Sequence, residues 1–173
     1  MKELLAKLGL GDDLTGAELL ERLKEREKEV SEYLAQRYEA KDVEPVRQLA
    51  GLGLAEAQFA LGLAYKRGDI VGRDYGQAVE WLRKAAGQGH VNAQHNLGVM
   101  YEQGLGVEQD YCQAAEWFRK AAGQGLPRAQ YELGLMYEEG RGVEKDDRQA
   151  AEWLRKAAEQ GHPVARDALD KLS

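Results

Sequence analysis

Residues 116–125 read EWFRKAAGQG, and the same string returns with small changes as EWLRKAAGQG at 80–89 and EWLRKAAEQG at 152–161. Trp81, Trp117 and Trp153 are 36 residues apart, and Gly53, Gly89, Gly125 and Gly161 keep the same step. A fixed period of this size predicts a stacked array, because so short a unit cannot bury its own apolar face and must share it with a neighbour. Each unit predicts two helices. Ala93, Leu97, Met100 and Tyr101 fall at helical spacing within 92–104, and Ala114, Trp117, Phe118, Ala121 and Ala122 do so within 111–124. Strand-like alternation is absent. The glycines after each second helix suit a residue of positive φ, and Pro127 and Pro163 are placed to start the next helix. Gly62, Gly98 and Gly134 sit in mid-helix, where glycine costs roughly 1 kcal/mol relative to alanine. Their recurrence predicts a close approach by the second helix of the same unit, with the tryptophan nearby and in the core between the helices.

The chain has 173 residues, 43% hydrophobic and 31% charged, which admits one packed core under a solvated surface and excludes global disorder. A net charge of −6 argues against a nucleic-acid partner, which would require a basic face. No apolar run approaches the roughly 18 residues of a membrane span. The start, MKELLAKLGLGDD, places Glu3 and Lys7 in its apolar stretch and has no small-residue cleavage site, unlike a secretion signal. One cysteine, Cys112, cannot form an internal disulfide, so a reducing, cytoplasmic setting is the expectation.

Leu-Gly-x-x-Tyr at 61–65, 97–101 and 133–137, followed by Ala-x-x-x-(Leu/Phe) at 78–82, 114–118 and 150–154, resembles the tetratricopeptide pattern. The 36-residue period, the GLGV and GRGV loops at 104–107 and 140–143 and the tryptophan-bearing second helix resemble Sel1-like repeats in particular. The resemblance implies an all-α, right-handed α-solenoid of helix-turn-helix repeats that binds other proteins. It assigns repeats to 53–88, 89–124 and 125–160. Residues 161–173 read as a C-terminal capping helix, with Ala165 and Leu169 in the register of Ala129 and Leu133 and Asp170 at the glycine position. Residues 15–52 read as a degenerate first repeat reached through a longer helix, capped by Thr15 and Glu18 and charged around most of its circumference over ERLKEREKEVSEYL. Residues 1–14 form a separate N-terminal segment.

Candidate chemistry is sparse. The loop glycines join helix to helix, not strand to helix, and lack the rest of a phosphate-binding motif. His90 and His162 share a repeat position two units apart, about 20 Å if helix pairs advance by about 10 Å. They cannot share a metal, and they read as exposed junction residues. Cys112 aligns with Gly76 and Arg148, so its thiol reads as exposed and idle. The cysteine-rich secreted members of the family are a poor comparison. Nothing offers a desolvated acid–base pair, so the chain reads as a non-enzyme without cofactor or metal.

Binding information belongs where the repeats differ on one face. Tetratricopeptide-like arrays present their first helices on the concave side, so the resemblance directs attention there. Phe59 and Leu63, His95 and Val99, and Tyr131 and Leu135 occupy one stripe on the three first helices. Around them stand Glu56, Lys66 and Arg67, then Asn92, Glu102 and Gln103, then Arg128, Glu138 and Glu139. The stripe predicts a groove for a peptide or protein surface, basic near Lys66 and Arg67 and acidic near Glu138 and Glu139. In the competing reading Phe59 and Tyr131 only cover neighbouring helices. Assembly through the ends and the leading helix, with weak self-association, and service as a subunit of an enzyme complex are the alternative roles.

Overall fold

The computed structural model describes residues 2–10 and 13–172; Met1, Gly11, Asp12 and Ser173, parts of the expected N-terminal segment and C-terminal cap, lie outside them. Among the described residues the fold is all-α, an α-solenoid of consecutively packed helix pairs. Four elements lead: α1 (Lys2–Leu8), α2 (Gly16–Lys24), α3 (Glu27–Glu39) and α4 (Val43–Gly51). The repeats supply α5 (Ala55–Arg67), α6 (Tyr75–Gly87), α7 (Val91–Gln103), α8 (Tyr111–Gly123), α9 (Pro127–Glu139) and α10 (Asp147–Glu159), each of 13 residues, before α11 (Ala165–Lys171). The chain divides into two compact units, Met1–His90 and Val91–Ser173.

Local chemistry sets the helix ends. Gly89, Gly125 and Gly161 after the second helices have positive φ, as expected. The loops inside each pair are fastened at both sides of an aspartate. Asp74, Asp110 and Asp146 each donate their backbone N–H to the carbonyl of Tyr65, Tyr101 and Tyr137, at 3.0 Å. Each then caps the second helix by accepting the N–H of Gln77, Gln113 or Gln149, again at 3.0 Å. Such a cap stabilises a helix by about 1 kcal/mol. At Gly142 (φ 68°) an added Cβ would stand 2.0 Å from the Tyr111 carbonyl oxygen, so this loop glycine serves backbone contact with α8 and not a phosphate.

The mid-helix glycines meet the second helix of their own unit, as their spacing predicts, and the side chain they meet is the one that follows each tryptophan. A Cβ on Gly98 would lie 2.7 Å from Cε1 of Phe118, and one on Gly62 or Gly134 would lie 2.8 Å from Cγ of Leu82 or Leu154. Phe118, Leu82 and Leu154 are fully buried. The neighbouring tryptophans are half-buried, contrary to their expected place in the core. One residue further along a helix turns the side chain by about 100°, so only one of the two can face the first helix. Each indole instead lies at the edge, under the ammonium of Lys84, Lys120 or Lys156 at 4.0, 3.9 and 4.3 Å from the ring centre.

In the first unit Leu4, Leu23, Val30, Leu34, Val46, Leu49 and Leu61 belong to one buried cluster. The segment ahead of Thr15 is therefore partly helical and contributes to the core. The Thr15–Glu18 capping box forms, with the Thr15 N–H 2.9 Å from the Glu18 carboxylate. The helix it opens does not run on as one. It ends at Lys24, and α3 restarts after Arg26, whose φ of −120° lies outside the helical range. The charged residues of the stretch are exposed, as expected, while its remaining face buries Leu23, Val30 and Leu34 at 3% exposure or less. In the second unit Ala114, Phe118, Ala121, Ala129, Leu133 and Met136 form the core. Pro127 opens α9, whereas Pro163 stands in a turn and α11 begins two residues later.

Candidate partner-binding surface

In the first unit Phe59 and Leu63, with Glu56 and Arg67, form one wall of a cleft whose other wall is Leu34, Ala35 and Tyr38 of α3. Its volume is 190 Å³. The Tyr38 hydroxyl donates to the Asp69 carboxylate at 2.5 Å, which ties α3 to the loop after α5. Phe59 is half-buried because the imidazole of His90 stacks on it at 4.5 Å between ring centres. His90 Nε2 lies 2.9 Å from Glu56 Oε2, and its side chain is 12% exposed. Lys66 is half-buried beside the cleft; burial and the adjacent Arg67 hold its ammonium below the usual lysine range.

The second unit repeats the arrangement at its far end. Tyr131, Leu135 and Glu138 of α9 face Val164, Asp167, Ala168 and Lys171 across a cleft of 350 Å³. His162 stacks on Tyr131 at 4.5 Å. Burial, then Arg128, keep that imidazole below its ordinary pKa. His90 and His162 are thus not exposed junction residues. The turns after α6 and α10 each lay a histidine over the aromatic ring 31 positions earlier. The central repeat has Leu126 at that place, and its aromatic position, His95, tilts towards Phe118 at 5.6 Å. Val99 packs on the core cluster, half-buried. Asn92 and Arg128 are exposed, and the Asn92 carbonyl accepts a bond from Asn96 at 2.9 Å.

Glu102 and Glu139 both turn to Arg141, which reaches Glu102 at 3.5 Å, contacts Glu139 and covers the Tyr111 ring. Glu132, which the sequence reading passed over, stands beside this cluster. Burial, then the Glu102 carboxylate, push its carboxyl up to about 7 against the pull of Arg141. An ordinary glutamate in an unfolded chain titrates near 4.3. Between those values the folded chain holds a proton that the unfolded chain has lost, so stability falls as pH rises from about 4.3 to about 7. Replacing the carboxyl by an amide removes that loss. Glu132→Gln is expected to stabilise the protein at pH 8 by an amount on the order of 1–3 kcal/mol, and by much less at pH 4, in parallel urea titrations. His162 acts with the opposite sign, its cost to the native state growing as pH falls below about 6.5; comparison with the parent at each pH isolates the carboxyl.

A polar ladder was also missed. Gln58, Gln94 and Gln130 are buried, and each side-chain carbonyl accepts a bond from Gln88, Gln124 or Gln160 at 2.7–2.8 Å. Gln58 and Gln130 pass their own amide N–H to the carbonyls of Ala50 and Ala122, at 3.2 and 3.3 Å. The signal was present in the 36-residue recurrence of both glutamines. Cys112 is exposed, as its alignment predicts. Among the described residues no group of three His, Cys, Asp or Glu side chains is placed to hold a metal, and no helix is long and apolar enough to cross a membrane.

The Sel1 repeat profile matches residues 55–90, 91–126 and 127–162, more than half of the chain. Solved structures with the same fold include a protective antigen of uropathogenic Escherichia coli displaying an SLR fold, 45% identical over 73% of this chain with a TM-score of 0.71. The present chain spans 27% of that antigen's length. A Sel1 repeat protein from Oxalobacter formigenes is 41% identical, with 76% of this chain and 98% of that one covered and a TM-score of 0.69. Cysteine rich protein B of Helicobacter pylori, 24% identical over 81% of this chain and 97% of its own, shares the fold at a TM-score of 0.58. No curated protein sequence matches the chain.

Proposed function

Because this chain belongs to the Sel1 repeat family, whose members mediate protein–protein interaction, we propose that it is an adaptor whose partner inserts side chains into the clefts between successive first helices. The observation that carries this reading is the pair of clefts, each formed by stripe residues of one helix and a facing helix. Apolar burial there supplies affinity, and the rims supply orientation. The first cleft carries Arg67 together with Glu56, whose carboxylate is already engaged by His90, and the second carries Glu138 and Asp167 with Lys171. The two partner chemistries therefore differ: an acidic flank suits the first cleft, and a basic flank suits the second. A polar tip on Tyr131 suits an interface that is wet at its rim.

The test uses a peptide selected from a displayed library by its affinity for the whole protein. Phe59→Ala and Leu135→Glu are expected to weaken its binding by roughly 1–4 kcal/mol each, as buried interface anchors do. Lys120→Glu, on a second helix, should leave binding unchanged in the same calorimetric titration. Unchanged affinity in both cleft variants would refute the reading, and loss in Lys120→Glu alone would move the interface to the second helices.

A further inference from the structure

The interruption between α2 and α3 opens a cavity of 320 Å³ in the first unit, at the lower end of the roughly 300–1000 Å³ typical of ligand pockets. Its lining includes the buried side chains of Leu23, Val30 and Leu54. The first turn of α5 and the turn after α6 complete it. The polar groups around it are already anchored. Gln88 donates at 2.8 Å to both the Gln58 side chain and the Gly53 carbonyl, and His90 is held by Glu56 at 2.9 Å. A ligand would thus meet a preformed site with little ordering left to do.

The charges choose the ligand. Lys24 and Glu27 lie on one side and Glu56 on the other. The Lys24 ammonium is already answered, 2.8 Å from the Glu21 carboxylate. Glu56 is likewise engaged, by His90 at 2.9 Å, so among the described residues Glu27 is the carboxylate left at the mouth without an ion-pair partner, set against the partial positive charge of the N-terminal ends of α3 and α5. We propose that this cavity binds an apolar group of leucine to phenylalanine size with a cation directly beside it, either a small amine or an apolar–basic pair of side chains in a peptide. This goes beyond the cleft reading, since it uses α2 and the turn after α6, although Glu56 touches both places.

The experiment titrates the full chain, with its methyl groups labelled for NMR, with phenethylamine, 2-phenylethanol and phenylacetate. Phenethylamine is expected to shift the Leu23, Val30 and Leu54 methyls and to bind tightest, with phenylacetate weakest. Glu27→Lys should lower the amine's affinity by about threefold to tenfold, the scale of one charge contact, while leaving the alcohol unchanged. Ala55→Phe, which fills the opening from a half-buried position, should abolish all three shifts. Acetyl-Leu-Lys-amide binding more tightly than acetyl-Leu-Glu-amide would assign the site to a peptide; binding of the amine alone would assign it to a small molecule. Tightest binding by phenylacetate, no methyl shift at saturating amine, or shifts that survive Ala55→Phe would overturn the proposal. The Leu63 and Leu135 methyls report the clefts in the same spectra, so failure of one reading is distinguishable from failure of the other.

Discussion

Gly98→Leu is expected to cost at least about 3 kcal/mol and to unfold the second unit at ordinary temperature, because overpacking a filled contact strains everything around it. The first added carbon alone would stand 2.7 and 2.8 Å from two ring carbons of Phe118. That ring is fully buried and has nowhere to move. The gain in helix propensity from replacing glycine, about 1 kcal/mol, is too small to offset it. Urea denaturation followed by circular dichroism measures the change. A midpoint equal to the parent's would remove close helix approach as the reason for the glycine.

Phe118→Ala is expected to cost about 3–5 kcal/mol, the range for deleting a buried aromatic ring and leaving a cavity. Trp117→Ala, one residue away, should cost clearly less, since its indole is half-buried and covered by one lysine. The order of the two effects is the informative result. If the tryptophan change proves the more damaging, the assignment of the two faces of α8 is reversed.

Those two residues also mark how far the sequence could be read. A 36-residue period discloses that each tryptophan is followed by a large apolar residue, Leu82, Phe118 or Leu154, and helix periodicity places the two about 100° apart. It does not say which of them meets the glycine. That depends on the rotation of one helix against another, which recurrence alone leaves undetermined. The glycines themselves were legible, because a costly residue repeated in mid-helix needs a steric cause. The aspartate caps were written just as plainly, at 74, 110 and 146, and only needed to be looked for.

The histidines were misread for a different reason. His90 and Phe59 are 31 residues apart, and their stacking depends on the path of the turn after α6, which no local pattern encodes. Glu132 escaped notice because desolvation is a property of the surroundings. On its own helix it has no repeat partner of like charge, Ala60 and Asn96 standing at the same position. The interruption at Glu25 and Arg26 had no warning at all, since both are good helix formers. The stripe positions on α5 and α9, by contrast, followed from helical phase once the resemblance had directed attention to the first helices, and residues of both helices line the clefts.

The most direct test of the account maps where a selected peptide touches the protein, by recording methyl and indole resonances during titration of the whole chain. Binding through the clefts predicts that the Leu63 or Leu135 methyls shift in proportion to occupancy, while the indole signals of Trp81, Trp117 and Trp153 stay in place. Movement of the indoles with the two leucines unperturbed would contradict it.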